Sequence, residues 1–332
     1  MSSITSHDGL LAVPAFEKPN FSYNFRVGSQ LNALRAHRDT APGRSIMPRS
    51  ADQLVVASWN IANLGLHERR PKDYKLIGEI ISWFDLVAIQ ETNNNLSGLR
   101  GLAEEVPDSY RLTFSDKAGN NERMAFIYDS DRLEILEETG EIAVPPRWKH
   151  VIRVPGSTQK FNGFDRNPFL SAFRVNGSDF EFGIVNIHLY FGSESSKSHN
   201  RRFMEALATA RWADLRRSDA DAYTQNMLVM GDFNLKKADW GDPIWEMLGA
   251  RGLFLVPHST YVGGSNINDD RPYDQVAFFP GPLMNAVSSS GVFDFDRGVF
   301  STLRKQRPSG EFLAYVRYYL SDHRPLWVSF GL

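Results

Sequence analysis

The stretch LVVASWNIANLGLHERRPKDYKLIGEIISWFDLVAIQE, residues 54–91, decides the fold class of this chain. It opens on a run of strand-forming residues, Leu54 to Ile61. Pro71 suits the first turn of a helix, and after it Ile77, Ile80, Ile81 and Phe84 recur at i, i+3, i+4 and i+7. That spacing predicts an amphipathic helix. A second apolar run, Leu86 to Ile89, follows at once. The unit therefore reads strand, helix, strand, which favours a mixed sheet with helices packed outside it.

Downstream, Met124–Tyr128, Leu133–Leu136, Phe169–Val175 and Phe180–Leu189 are short, aromatic and β-branched, with turn residues between them. They predict strands joined as hairpins. From Ser198 to Arg217 the period turns helical, with Phe203, Ala206, Leu207 and Ala210 on one face. Strands are expected again at Met227–Met230, Gln275–Phe279 and Leu326–Phe330. No internal repeat or low-complexity tract is visible, which argues against solenoids and propellers. The expected class is α/β, a β-sandwich of two mixed sheets flanked by helices. Upstream of residue 51 there is little periodicity, and APGRSIMPR at 41–49 carries Pro and Gly at linker density. Residues 1–50 are accordingly expected to be an N-terminal extension, partly disordered, ahead of a domain spanning 51–332.

Composition limits the partners. Of the 332 residues, 37 are Lys or Arg and 39 are Asp or Glu, a formal charge of -2, so no global positive field draws the chain to a polyanion. Any polyanion must be met locally. With no cysteine, disulfides, thiolate metal sites and Cys nucleophiles are excluded, and a reducing compartment fits. Residues 1–20 lack a basic segment followed by a long apolar one, and no stretch reaches the ~18 apolar residues of a membrane span. The expectation is a cytoplasmic protein with no membrane association.

Polar clusters stand where the apolar strands stop: Trp59-Asn60, Gln90-Glu91, Asn186-Ile-His188, Gly231-Asp-Phe-Asn234 and Ser321-Asp-His-Arg-Pro325. Strand ends gather distant positions, so acids, amides and histidines from five strands could converge on one pocket. Taken singly, each cluster is an ordinary turn, cap or rim. Their order and spacing together, with Tyr273-Asp274-Gln275, resemble the endonuclease/exonuclease/phosphatase superfamily from Gln53 to the C-terminus. Two further stretches resemble its DNase I-like nuclease branch: Glu122-Arg-Met-Ala-Phe-Ile-Tyr128 and Phe164-Asp-Arg-Asn-Pro168.

The resemblance implies a DNase I-like four-layer sandwich and a hydrolase of phosphoric esters. It also implies roles: His188 and His323 flank the scissile phosphate, aligned by Glu122 and Asp274 respectively. A carboxylate behind an imidazole raises its basicity and fixes its tautomer. Asp232 and Asn234 would point together at the attacking water or a phosphate oxygen, and Arg166 and Asn60 would contact phosphate. Glu91, Asn60 and Asp322 make a reasonable oxygen-rich site for Mg²⁺, with Mn²⁺ or Ca²⁺ as alternatives. The eight histidines show no zinc-like cluster.

Departures from other branches sort the substrate. Gln90-Glu91 is followed by Thr-Asn-Asn, not the Thr-Lys usual in abasic-site endonucleases, and the Cys-Asp-Arg of inositol-phosphate phosphatases cannot occur without cysteine. No aromatic hairpin of the sphingomyelinase kind is evident. Between Pro145 and Pro168, Arg147, Lys149, Arg153, Lys160 and Arg166 face one acid, Asp165, with Trp148, Phe161 and Phe164 interleaved. Arg304, Lys305, Arg307 and Arg317 likewise accompany Phe312, Tyr315, Tyr318 and Tyr319. Basic loops with aromatics can hold backbone phosphates and stack on bases. The leading expectation is a Mg²⁺-dependent nuclease with nucleic acid, DNA first, as its substrate and little sequence preference. The alternatives are a phosphatase or phosphodiesterase for small-molecule or lipid esters, and a non-catalytic binding module.

Overall fold

The computed structural model describes residues 16–257 and 263–332. Along the chain the strands are β1 (Gln53–Leu64), β2 (Leu86–Asn93), β3 (Tyr110–Phe114), β4 (Glu122–Asp129), β5 (Leu133–Glu141), β6 (Phe169–Val175), β7 (Glu181–His188), β8 (Met227–Asp232), β9 (Phe254–Leu255), β10 (Asp274–Phe278), β11 (Val287–Val292) and β12 (Leu326–Gly331). One sheet runs β11-β12-β1-β2-β4-β3 and the other β5-β6-β7-β8-β10-β9. Each holds one parallel pair among antiparallel neighbours, β1 with β2 and β7 with β8. Parallel neighbours need a crossover. Helices Pro71–Ile81 and Ser196–Arg217 supply the two, as the spacing of their apolar residues predicts.

Alternation along β1 shows how the layers form. Leu54 and Val56 enter the core between the two sheets, whereas Val55, Ala57 and Trp59 face helices on the outer side. The inter-sheet core also holds Phe126, Phe173, Ile184, Met230 and Phe278. On the far side of the second sheet, Ala206, Ala210 and Leu248 pack on Val185, Ile187 and Val229. The result is helices, sheet, sheet, helices, the four layers expected.

Several elements escape the sequence reading. Helix Val27–Thr40 is mostly polar, with Leu34 alone fully buried, so it gives almost no periodic signal. It is nevertheless docked: Leu34 and Ile46 join the core, and Phe21, Tyr23, Phe25, Leu31 and Met47 pack against it. Residues 16–50 are thus part of the folded body, while residues 1–15 of the expected extension lie outside the described residues. The expected basic loop at 304–319 is corrected too: it forms helices Ser301–Gln306 and Ser309–Tyr319, and Phe312, Tyr315, Tyr318 and Tyr319 are buried. Their rings serve the core, because their spacing turns them to one helical face. They offer no stacking platform.

Asp294, fully buried, ties the N-terminal segment down: His37 Nε2 lies 2.7 Å from Oδ1, and Arg44 Nη2 donates to Oδ2 at 2.9 Å. Burial alone would raise this carboxyl, but the His37 hydrogen bond and Arg44 outweigh it and bring it from 3.8 down to about 2. Such a group stabilises the fold fully above the unfolded value near pH ~4 and loses that contribution as pH falls through the folded value. The contribution is about 2 kcal/mol. In urea titrations at pH 6, H37A/R44A is expected to lose about that amount against the parent, and the gap is expected to close near pH ~2. A gap of constant size at both pH values would contradict the assignment.

Candidate active site

The carboxyl ends of the parallel strands and the starts of their antiparallel neighbours share one edge of the sandwich. That edge carries Asn60 on β1, Glu91 on β2, His188 on β7 and Asp232 on β8, with Glu122 opening β4 and Asp274 opening β10. A cleft of about 830 Å³ lies there, lined by Glu91, Glu122, Arg166, His188, Asp232, Asn234, Asp322 and His323. Asn60 and Asp274 are buried in its floor.

His188 and Asp232 are direct partners in the parallel ladder. Their approach needs Gly231: its φ is +143°, and a Cβ there would meet Ile187 O at 2.0 Å. Glu122 Oε2 stands 3.2 Å from His188 Nδ1, and Asp274 Oδ2 stands 2.8 Å from His323 Nδ1. The opposite ring nitrogens face one carboxylate, with Asp232 Oδ2 at 3.5 Å from His188 Nε2 and 3.8 Å from His323 Nε2. Two acid-backed histidines thus converge on Asp232. Burial would depress the His323 imidazolium, yet Asp274 and Asp232 raise it well above 6.5. Burial would likewise raise Asp232, but the two histidines hold it below the usual carboxylate range. Burial opposes the same effect at Glu122, where His188 prevails, and dominates at Asp274, which is raised.

On the other side of Asp232, Asn60 Nδ2 donates to Glu91 Oε1 at 3.0 Å and to Asp232 Oδ2 at 3.2 Å. Asn63 N donates to Glu91 Oε2 at 2.8 Å. The β1–β2 pairing is irregular here, and Asn63 and Glu91 take left-handed φ values of 49° and 59°. Such bulges re-aim side chains at strand ends. Glu91 is raised by its withdrawal from solvent and then by the charges of Glu122 and Asp322, and among the described residues Asn60 Oδ1 is buried without a partner. A corner rich in oxygen donors fits a hard divalent cation, which Glu91, Asn60 and Asp322 could hold. Asp232, Asp274 and His323 also offer donor atoms within 4.8 Å of one another. Since His323 Nδ1 is already committed to Asp274, that trio reads better as a positioned histidine and its acids.

Other residues hold these groups in place, and the sequence did not single them out for it. Asn186 is an inter-sheet clamp: it accepts from Gln90 Nε2 at 2.7 Å and donates to Ile89 O and Ala125 O, each at 3.1 Å. Ser321 Oγ donates to Asn60 O at 2.6 Å and accepts from His323 N at 3.0 Å. Glu205, buried in helix Ser196–Arg217, accepts from the backbone of Asp165 at 3.0 Å and of Tyr190 at 2.8 Å, fixing two cleft loops. A glutamate between apolar helix positions was the available signal. Asn186→Ala would take from Gln90 its shortest contact and from Ile89 O and Ala125 O a buried donor, and is expected to cost about 1–3 kcal/mol in chemical denaturation. An unchanged midpoint would refute the clamp.

Arg166 is buried, donating from Nε to His188 O at 3.0 Å and from Nη2 to Leu189 O at 3.1 Å. Its Nη1 is 3.5 Å from Glu122. Asn234 is left-handed, φ 52°, so it does not alternate with Asp232 along extended backbone. Instead its N–H donates to Asp232 Oδ1 at 2.8 Å and its side chain to Leu189 O at 2.8 Å. Of the basic stretch 145–168, Phe161 is buried and Lys149 is bound to Asn162 O, while Trp148 is exposed.

The model of the Endonuclease/Exonuclease/phosphatase family matches residues 57–323. A curated relative named "Deoxyribonuclease", from Thioalkalivibrio sp. (strain K90mix), is 28% identical over 198 residues, which cover 57% of this chain and 49% of the relative. The chain thus spans about half the length of the curated relative it matches. Among solved structures, a mannosyl-6-phosphatase from Bacteroides thetaiotaomicron VPI-5482 aligns with a TM-score of 0.55 at 19% identity, covering 83% of this chain and 98% of that one. An endonuclease/exonuclease/phosphatase family protein from Bacteroides thetaiotaomicron aligns with a TM-score of 0.53 at 19% identity, covering 84% and 96%. Both share the fold. With the ordered motifs gathered on one cleft and the family model matched across both sheets, the chain belongs to the endonuclease/exonuclease/phosphatase family.

Proposed function

We propose that the protein is a divalent-metal-dependent phosphodiesterase that cleaves nucleic acid, DNA in particular, with little sequence preference. The observation that carries the chemistry is the pair of acid-backed histidines whose free ring nitrogens meet at Asp232. Hydrolysis of a phosphodiester needs a base for water, an acid for the leaving oxygen and relief of charge on the phosphorus centre. One histidine takes the proton of the attacking water and the other returns a proton to the departing oxygen. Asp232 orients both rings from between them, and Asn234 fixes Asp232. Arg166 offers Nη1 to a non-bridging oxygen, while its other nitrogens hold the strand end that carries His188. A cation on Glu91, Asn60 and Asp322 would neutralise phosphate charge. The name of the 28% identical relative supports nucleic acid as the ester.

The test is a panel of plasmid, linear DNA, RNA, a phosphoinositide and a sugar phosphate, with Mg²⁺, with Mn²⁺ and with EDTA. Cleavage of DNA with either cation and its loss in EDTA are the expected results. Turnover confined to the sugar phosphate or the phosphoinositide would overturn the nuclease reading, and undiminished turnover in EDTA would overturn the metal.

A further inference from the structure

A second groove, about 920 Å³, opens beside the catalytic cleft and shares Asn234 with it. Its floor is apolar, with Leu207 and Met247, and its rim carries Arg153, Lys237 and Arg251. All three cations are exposed, and among the described residues none of them forms an ion pair. The acids of the groove are occupied: Asp242 accepts from Ile244 N and Trp245 N, and Glu246 accepts from Gly241 N. In the loop that follows Asn234, Trp240 is 82% exposed, with its ring 5.9 Å from that of Trp245. A small phosphate ester bound in the cleft would leave all of this unused.

We propose that the groove holds the nucleic-acid strand that continues from the scissile phosphate, with backbone phosphates on Arg153, Lys237 and Arg251 and a base stacked on Trp240. The assignment rests on the nuclease reading of the cleft. Charge complementarity selects the occupant: unpaired cations along an apolar floor suit a polyanion that also carries flat apolar faces. Asn234 belongs to both walls, so a strand lying in the groove leads into the reacting position. Arg153 comes from the basic stretch 145–168, whose Arg166 lines the catalytic cleft, so that one stretch contributes a cation to each of the two cavities.

The experiment measures binding of a labelled single-stranded 12-mer in EDTA, over a series of salt concentrations, to the parent protein and to R153A/K237A/R251A. Loss of at least tenfold in affinity is expected, with the log–log salt slope reduced by about 2, the share of three phosphate contacts on a single strand. Lys305→Ala, an exposed cation on helix Ser301–Gln306, is the control. Trp240→Ala is expected to weaken the 12-mer by about tenfold but not an abasic 12-mer. Equal loss on both would overturn the stacking role. The ratio of kcat/KM on the 12-mer to that on bis(p-nitrophenyl) phosphate, restored with Mg²⁺, is expected to fall at least tenfold in the triple variant. Affinity and slope equal to the parent's would overturn the groove assignment and leave the nuclease reading standing. A parent protein that hydrolyses bis(p-nitrophenyl) phosphate yet neither binds nor cleaves any oligonucleotide would overturn both.

Discussion

Replacing His188 by alanine is expected to lower phosphodiester hydrolysis by at least ~10²-fold, the usual size of a lost general acid or base. The same is expected of His323→Ala, and the double variant should fall well short of the product, since both rings face the same Asp232 oxygen and would act on one reaction. Glu122→Gln and Asp274→Asn are expected to act through the histidines they face at 3.2 and 2.8 Å, lowering kcat with little change in KM. Single-turnover rates on linear DNA with Mg²⁺, alongside thermal melts that verify folding, provide the measurement. A folded His188→Ala protein that cleaves at the parental rate would remove this histidine from the chemistry and break the pairing on which the proposed function rests.

Removing residues 1–50 is expected to cost at least ~5 kcal/mol, enough to leave a typical domain mostly unfolded at 37 °C. Leu34 and Ile46 leave the core in that truncation, and the rings of Phe21, Tyr23 and Phe25 no longer cover it. Arg49 is lost as well, and with it the contacts to Asp85 at 2.7 Å and to Asp129. Asp85 is fully buried in the turn between helix Pro71–Ile81 and β2, and among the described residues Arg132, at 3.2 Å, and the N–H of Val55, at 2.7 Å, would be left to answer its charge. The comparison is a urea titration of residues 51–332 against the full chain, followed by circular dichroism. Coincident curves would show that the segment rides on the domain without supporting it.

Much of the fold was legible because its layers impose strict periods. Strands buried on both faces read as continuous apolar runs, and the two crossover helices bury one stripe each. The segments that stayed hidden carry weak or misleading periods. Helix Val27–Thr40 buries Leu34 alone, so its amphipathicity is slight. Helix Ser309–Tyr319 looked like a basic aromatic loop because Pro308 precedes it and charges punctuate its rings. β3 and β11 are edge strands, held by one neighbour each, and need less apolar sequence.

For the site, the chemical inventory is legible in the order of residues along the chain: which acids, amides and histidines stand at strand ends, and in what succession. A strand end is recognisable locally, since an apolar run stops at a polar residue. Which of these groups meet is set by the tertiary fold, because Glu122 and, just ahead of β12, His323 belong to one sheet and His188 and Asp274 to the other, so that each acid reaches its histidine only where the two sheets pack together. The tertiary fold also shows which polar groups act as supports. Asn186 and Gln90 read like candidates for the site, yet they hydrogen-bond each other between the sheets. Arg166 gives two donors to backbone carbonyls, and Asn234 gives one to a carbonyl and one to Asp232. Residue type fixes what a side chain can donate or accept, but the partner that uses it is set by the packing of distant elements, and that information is spread over the whole chain.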